Sequence, residues 1–168
     1  MRQICNAVNK KIILGIILVI AFPIIVYTIS PLFVSRTIDE AIPTTKVYPS
    51  KETQSTEGQS TELIAIESGS FVGVGDGIHN AKGTAKILSL ADDKVLRFEN
   101  FKATNGPDLY VYLATDEKAT DFVNLGPLKA NIGNQNYQIP KGTDLTKYDT
   151  ALVWCKQFSV LFGHANLS

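Results

Sequence analysis

One stretch of the sequence decides the fold class, and it reads Gly106-Pro107-Asp108-Leu109-Tyr110-Val111-Tyr112-Leu113-Ala114. Proline presets its own φ angle and aspartate hydrogen-bonds nearby backbone, so the first three residues indicate a tight turn. Leu109, Val111 and Leu113 then alternate with two tyrosines, and this period of two is typical of a strand with one buried face. The stretch therefore predicts a turn followed by a β-strand.

Short apolar segments of the same kind recur between residues 63 and 168, separated by glycine, proline, asparagine and aspartate. In Leu96-Arg97-Phe98-Glu99 we expect the apolar pair to face the core and the charged pair to face solvent. The predicted strands are Gly69–Val74, Gly83–Leu90, Val95–Phe101, Leu109–Ala114, Asn134–Ile139, Ala151–Cys155 and Val160–Leu167. Because this region leaves no room for crossover helices, we expect an all-β fold, an antiparallel β-sandwich or barrel-like domain of about seven or eight short strands.

The N-terminal region has a different character. No charged residue occurs from Ile12 to Val34, and about 20 apolar residues suffice to cross a bilayer. Lys10 and Lys11 precede this run, whereas only Arg36 follows closely, so the positive-inside rule keeps the N-terminus in the cytoplasm. The sequence predicts a cytoplasmic segment 1–11, a transmembrane helix over 12–34, and a C-terminal domain outside the membrane.

Two further boundaries follow from composition. A cleaved signal peptide is the alternative to the anchor, but it has a shorter apolar region and needs small residues at its cleavage site, which Ser30–Val34 does not offer. Beyond the run, Ser50–Thr61 contains almost no apolar residue and cannot offset the entropy of ordering. We therefore expect a flexible stalk over 35–62 and one folded domain over 63–168.

Charge and motif content exclude several functions. The formal net charge is zero, without the clustered basic residues of a nucleic-acid-binding surface. The sequence lacks G-x-S-x-G, H-E-x-x-H and P-loop motifs, which argues against a classical enzyme. Cys5 and Cys155 flank the apolar run, so an anchor would separate them and prevent a disulfide. Cys155 would then be a lone thiol in an oxidising compartment.

Several motifs follow one another in a recognisable order between residues 63 and 168. They are Gly69-Ser70-Phe71, His79, Gly83-Thr84-Ala85, Val95–Phe101, Gly106–Leu113, Leu125–Lys129, Asn131–Tyr137 and Val153–Leu167. In this order they resemble the DM13 domain family and cover nearly all of the predicted domain. The resemblance implies an extracytoplasmic β-rich module with a cysteine in its Trp-Cys element, here Cys155. It also implies a redox or electron-transfer role, with or without a bound prosthetic group.

Three residues are candidates for the site. Cys155 is either a buried small hydrophobe or a redox thiol or thiolate ligand. His79, at the family's histidine position, is either a hydrogen-bonding loop residue or a ligand. Together with His164 these residues would supply the three strong ligands of a blue-copper site, although the usual axial methionine is missing. Trp154 should face away from Cys155 along a strand and serve as a core anchor.

The sequence does not identify a cofactor. Thiolate ligation of haem iron by Cys155 is chemically compatible, but no C-x-x-C-H attachment motif is present. Two functions remain open: a membrane-anchored redox module centred on Cys155, and a non-catalytic adhesion or interaction module on the cell surface. The predicted partners are membrane lipid through the anchor and an extracytoplasmic protein, which in the first case is a redox partner.

Overall fold

The computed structural model describes residues 10, 12–23, 35–43, 64–90 and 93–168. Residues 12–23 are helical. Among the described residues, no helix combines the length and the apolar character needed to cross a membrane. The anchor was predicted over residues 12–34, and its second half, residues 24–34, lies outside the described residues. Cys5 and the stalk segment Ser50–Thr61 also lie outside them.

Residues 35–168 form a separate compact unit built from β-strands. The strands are β1 (Thr37–Asp39), β2 (Ile64–Ser70), β3 (Val72–Gly73), β4 (Ala81–Leu90), β5 (Asp93–Ala103), β6 (Leu109–Ala114), β7 (Phe122–Pro127), β8 (Ile132–Ile139), β9 (Thr150–Cys155) and β10 (Val160–Asn166). They form two five-stranded sheets, in the orders β1-β8-β5-β4-β2 and β3-β10-β9-β6-β7. All pairings are antiparallel except β1 with β8, which is parallel.

The core lies where side chains of both sheets meet in one buried cluster. The first sheet contributes Ile87, Leu96, Phe98 and Tyr137, and the second contributes Val111, Leu113, Val153 and Phe162. The rings of Phe71 and Phe98 meet edge-on with centroids 4.8 Å apart. Burying this apolar surface between two layers is what stabilises the pair of sheets, since neither sheet could cover its apolar face alone. The all-β expectation is confirmed for the described part of the domain.

The structure contains two strands that the sequence did not predict. β1 lies inside the predicted flexible stalk, where Ile132 N donates to Arg36 O at 3.1 Å and Glu40 N donates to Asn134 O at 2.9 Å. Three residues are too few to show a periodic pattern, so only the pairing of β1 with β8 identifies this segment as a strand. β7 was not predicted because it ends in Gly126 and Pro127, two residue types that are typical of turns. The region from 35 to 43 therefore belongs to the folded unit. The predicted strand Gly69–Val74 is divided at Phe71 into β2, which already begins at Ile64, and β3, so the described residues contain ten strands.

The burial of Arg97 differs from the pattern expected for β5. Its side chain is on the outer face, as alternation requires, but only 4% of the residue is exposed. The segment after β1 covers it, because Nη1 donates to the carbonyl oxygens of Glu40 at 3.1 Å and Ala41 at 3.4 Å. Nε donates to Glu99 Oε1 at 3.0 Å, so the enclosed guanidinium charge is paired. The outer face of the first sheet is thus partly covered by the chain itself.

Candidate functional site

Cys155 is the last residue of β9 and faces the core. It lies opposite Leu109 of β6 and Val160 of β10, and only 1% of it is exposed. Trp154 lies on the other face, as strand alternation predicts. However, Trp154 is half-buried in a second cluster with Tyr112 and Leu152 on the outer face of the sheet, so it is not an anchor of the main core.

The thiol of Cys155 has one polar partner, the loop between β5 and β6. Cys155 Sγ donates to Pro107 O at 3.0 Å. The loop is fixed to the same strand end by Lys156 N, which donates to Asp108 O at 3.1 Å. The predicted turn at Gly106-Pro107-Asp108 is therefore what closes over the sulfur.

Asp108 acts through its backbone. Its φ angle is 55°, in the left-handed region that aspartate and asparagine occupy more readily than other residues with a side chain. The sequence suggested instead that the Asp108 carboxylate accepts a local backbone hydrogen bond. Among the described residues that carboxylate has no hydrogen-bond partner, so the turn needs aspartate for its conformation.

His79 lies in the loop between β3 and β4 and is held by Asp76. His79 Nδ1 is 2.5 Å from Asp76 Oδ2, while Asp76 Oδ1 accepts hydrogen bonds from the backbone N of His79 at 2.7 Å and of Ile78 at 2.9 Å. These bonds, the backbone bond from His79 above all, lower the pKa of Asp76 to about 2. The geometry favours the interpretation of His79 as a loop-fixing residue over that of a free ligand.

Phe162 joins the two loops. Its ring meets the His79 ring edge-on with centroids 4.6 Å apart. A Cβ atom on Gly106 would lie 2.5 Å from Phe162 Cζ, so only glycine fits beneath the ring. Thr104 N donates to Asn80 O at 2.9 Å and ties the loops together through backbone. The structure thus brings His79 and Cys155 to one end of the domain, with Phe162 and the 104–108 loop between them.

His164 is not part of this cluster. On β10 it lies opposite Leu152 of β9, on the outer face that carries Trp154, whereas Cys155 faces inward. Its Nε2 is 3.2 Å from Glu117 Oε1, and its buried Nδ1 has no partner within the described chain. The predicted copper-ligand set is therefore not assembled, because the sheet separates two of its three members. The described residues contain no group of three side chains suited to a metal ion.

An aromatic surface on the outer face of the second sheet was only partly predicted, and it is more enclosed than alternation indicated, since Tyr112 is only 3% exposed. Tyr112 and Phe122 stack with centroids 4.2 Å apart, and Lys156 Nζ lies 5.1 Å from the centre of the Tyr110 ring. Burial raises the pKa of Tyr112, with smaller contributions from Tyr110 and Asp108. The alternation of Tyr110 and Tyr112 in the sequence was a signal for this surface, but Phe122 joins it only because β7 pairs with β6.

A cofactor has little access to the sulfur in this arrangement. Cys155 Sγ is enclosed by core side chains and by Pro107, so neither a haem plane nor a metal ion with further protein ligands fits beside it. Binding either group would require the 104–108 loop to move and the thiol to lose its proton.

Comparison with known proteins identifies a family. A family model described as "Electron transfer DM13" matches residues 70–167, more than half of the chain. The matched region contains both loops, Phe162, His79 and Cys155. A search of curated proteins and a search of solved structures found no match.

Proposed function

The chain belongs to the DM13 electron-transfer family, and from that premise we propose that its β domain is a redox module centred on Cys155. The observation that carries the proposal is the enclosed thiol, which has a single hydrogen bond to Pro107 O. An exposed thiol outside the cell would oxidise or cross-link, whereas one enclosed by a loop stays reduced until a suitable acceptor approaches.

The proposed step is a one-electron oxidation of the thiol. An oxidised partner protein takes one electron, the 104–108 loop moves so that the S–H bond releases its proton to solvent, and a sulfur radical remains. One electron from a reduced partner and one proton from solvent restore the thiol. The His79–Asp76 pair and Phe162 position the loop that borders this site, so these residues act through the loop and not on the sulfur itself.

The full-length chain offers a matched control for the test, because it has only two cysteines. Wild type, Cys155→Ser and Cys5→Ser would be compared by protein-film voltammetry and by paramagnetic resonance after one-electron oxidation. We expect wild type and Cys5→Ser to give the same redox wave and sulfur radical, and Cys155→Ser to give neither. A wave that survives in a folded Cys155→Ser protein would refute the assignment.

The proposed module is held on the outer face of a membrane. The uncharged run 12–34 and the lysines before it support a single N-terminal anchor with the domain outside. Lipid is then one partner, and an extracytoplasmic redox protein is the other. Retention of the chain in the membrane fraction after washing with high salt and carbonate, with no shortened N-terminus by mass spectrometry, would support the anchor over a cleaved signal peptide.

A second function is favoured by a different observation. Val72, Val74 and Ile78 are 55%, 45% and 70% exposed around the loop that carries His79, and Phe158 is 63% exposed in the turn after Cys155. Exposed apolar side chains in one region are typical of protein-binding surfaces. If Ile78→Ser weakens capture of an extracytoplasmic partner while Cys155→Ser does not, the domain is a non-catalytic interaction module.

A further inference from the structure

Three basic side chains lie at one end of the first sheet. Lys82 of β4 and Lys102 of β5 are directly opposite each other, and Lys102 in turn lies opposite Ile132 of β8. Arg36, which immediately precedes β1, accepts a backbone hydrogen bond from Ile132. Four neighbouring strands therefore bring Arg36, Lys82 and Lys102 to the same end, and we call these three residues the basic patch.

The two lysines of the basic patch face outward. Ala81, Phe101 and Ala103, their neighbours along the strands, are buried in the core. Because successive side chains of a strand point to opposite faces, Lys82 and Lys102 lie on the outer face, and both are exposed. Like charges directly opposite each other on one face repel, so this placement opposes folding unless an anion compensates it.

No carboxylate of the described chain neutralises the basic patch. Lys86 and Lys129 each pair with a glutamate, whereas the three patch residues form no ion pair with any residue that the structure describes. Asp39, the last residue of β1, is a nearby carboxylate, but its Oδ1 accepts a hydrogen bond from Asn134 Nδ2 at 2.7 Å. The uncompensated charge favours an anionic partner outside the domain.

The chain itself indicates what that partner is. Only Ser35 and Arg36 separate Val34, the end of the proposed anchor, from Thr37, the start of β1. Because β1 is paired with β8, the region from Ser35 onward belongs to the folded unit and not to a stalk.

We propose that the basic patch binds the anionic headgroups of lipids in the outer leaflet and so holds the domain against the membrane surface. The inference rests on the proposed anchor. A basic residue near an anionic membrane favours the bound state by roughly fivefold, and salt screens the attraction within a Debye length. The bound domain should therefore shield Lys82 and Lys102 from water-soluble reagents at low salt.

The test measures lysine reactivity in the full-length chain. The chain would be placed in nanodiscs of phosphatidylcholine, with or without phosphatidylglycerol, and treated with a water-soluble acylating reagent. Mass spectrometry then gives the modification rate of each lysine. We expect Lys82 and Lys102 to react roughly fivefold more slowly in the anionic discs, with the protection lost in 0.5 M salt. Lys94, at the other end of β5, and Lys118 are internal controls and should react equally in both discs.

A substitution sharpens the result. Arg36→Gln should reduce the protection of both patch lysines, whereas Lys94→Gln should leave it unchanged. Equal reactivity of Lys82 and Lys102 in the two kinds of disc, with the chain still embedded, would overturn the lipid contact alone. Loss of the chain from the discs in high salt would overturn the anchor and this inference with it.

Discussion

Replacement of Glu40 by alanine tests whether the segment around β1 is an integral part of the domain. The Glu40 carboxylate accepts hydrogen bonds from Lys129 Nζ at 2.8 and 3.0 Å and from Asn136 N at 2.6 Å. A hydrogen bond to a charged group contributes about 1.5–3 kcal/mol, and a largely exposed ion pair adds under about 1 kcal/mol. Because 26% of the Glu40 side chain is exposed, we take the lower values and expect a loss of about 2 kcal/mol.

The loss should appear in urea unfolding of the full-length chain, followed by the fluorescence of its single tryptophan, Trp154. With a slope of about 1–3 kcal/mol per molar urea, the midpoint should fall by about 1 M in Glu40→Ala. Asp39→Ala is the control, because its exposed carboxylate has one side-chain partner, and we expect less than about 0.5 kcal/mol there. Equal midpoints for wild type and Glu40→Ala, or an equal loss in Asp39→Ala, would refute the reasoning.

The interactions of Glu40 also predict that the stability difference between wild type and Glu40→Ala depends on pH. Burial raises the pKa of Glu40, but the hydrogen bonds from Lys129 and Asn136 and the charges of Lys129 and Arg97 lower it by more, so it lies below the usual 4.5. A group with a depressed folded pKa stabilises the protein above its unfolded pKa and loses that contribution as pH falls through the folded pKa. The difference between wild type and Glu40→Ala should be full at pH 7 and shrink below pH 4.5. A difference that stays constant into acid would contradict the ionic account.

Three further outcomes are expected. Gly106→Ala should cost about 1–3 kcal/mol, because the added methyl overlaps the Phe162 ring, and thermal unfolding would detect it; an unchanged midpoint would contradict the close contact. Asp108→Asn should be tolerated, whereas Asp108→Val should cost about 1 kcal/mol or more, because valine disfavours a φ of 55°. Protease added to intact cells should cut within Ser50–Thr61 and leave the domain bound to its anchor through β1 until denaturant is added; full resistance would refute the outward orientation.

The local part of the fold followed from periodicity. β6 was predicted with the bounds that the structure shows, Leu109–Ala114, because five alternating residues and a turn signal specify a strand without outside help. The opposite orientations of Trp154 and Cys155 also followed from alternation alone. The two faces of β6 also followed from alternation, but the tyrosine face is not exposed as expected, because Tyr112 is buried in the second cluster.

The sequence predicted only part of the candidate site. The resemblance selected Cys155 and His79, and the structure brings both to one end of the domain. His164 looked equivalent in the sequence, nine positions after the cysteine, but a register shift between Leu161 and Gly163 and the strand pleat place it on the other face of the sheet. The role of Phe162 had no sequence signal, because it depends on loops from distant parts of the chain.

The sequence by itself determined most of the longer strands, where the turn at Gly106-Pro107-Asp108 falls, and that an uncharged run precedes the domain, since these depend on neighbouring residues. The tertiary structure alone decided that β1 belongs to the fold, that Arg97 is enclosed and that the 104–108 loop closes over Cys155. Glu40 and Asn136, for example, are 96 positions apart. Such pairings arise from sheet order and shared burial, which no local pattern encodes.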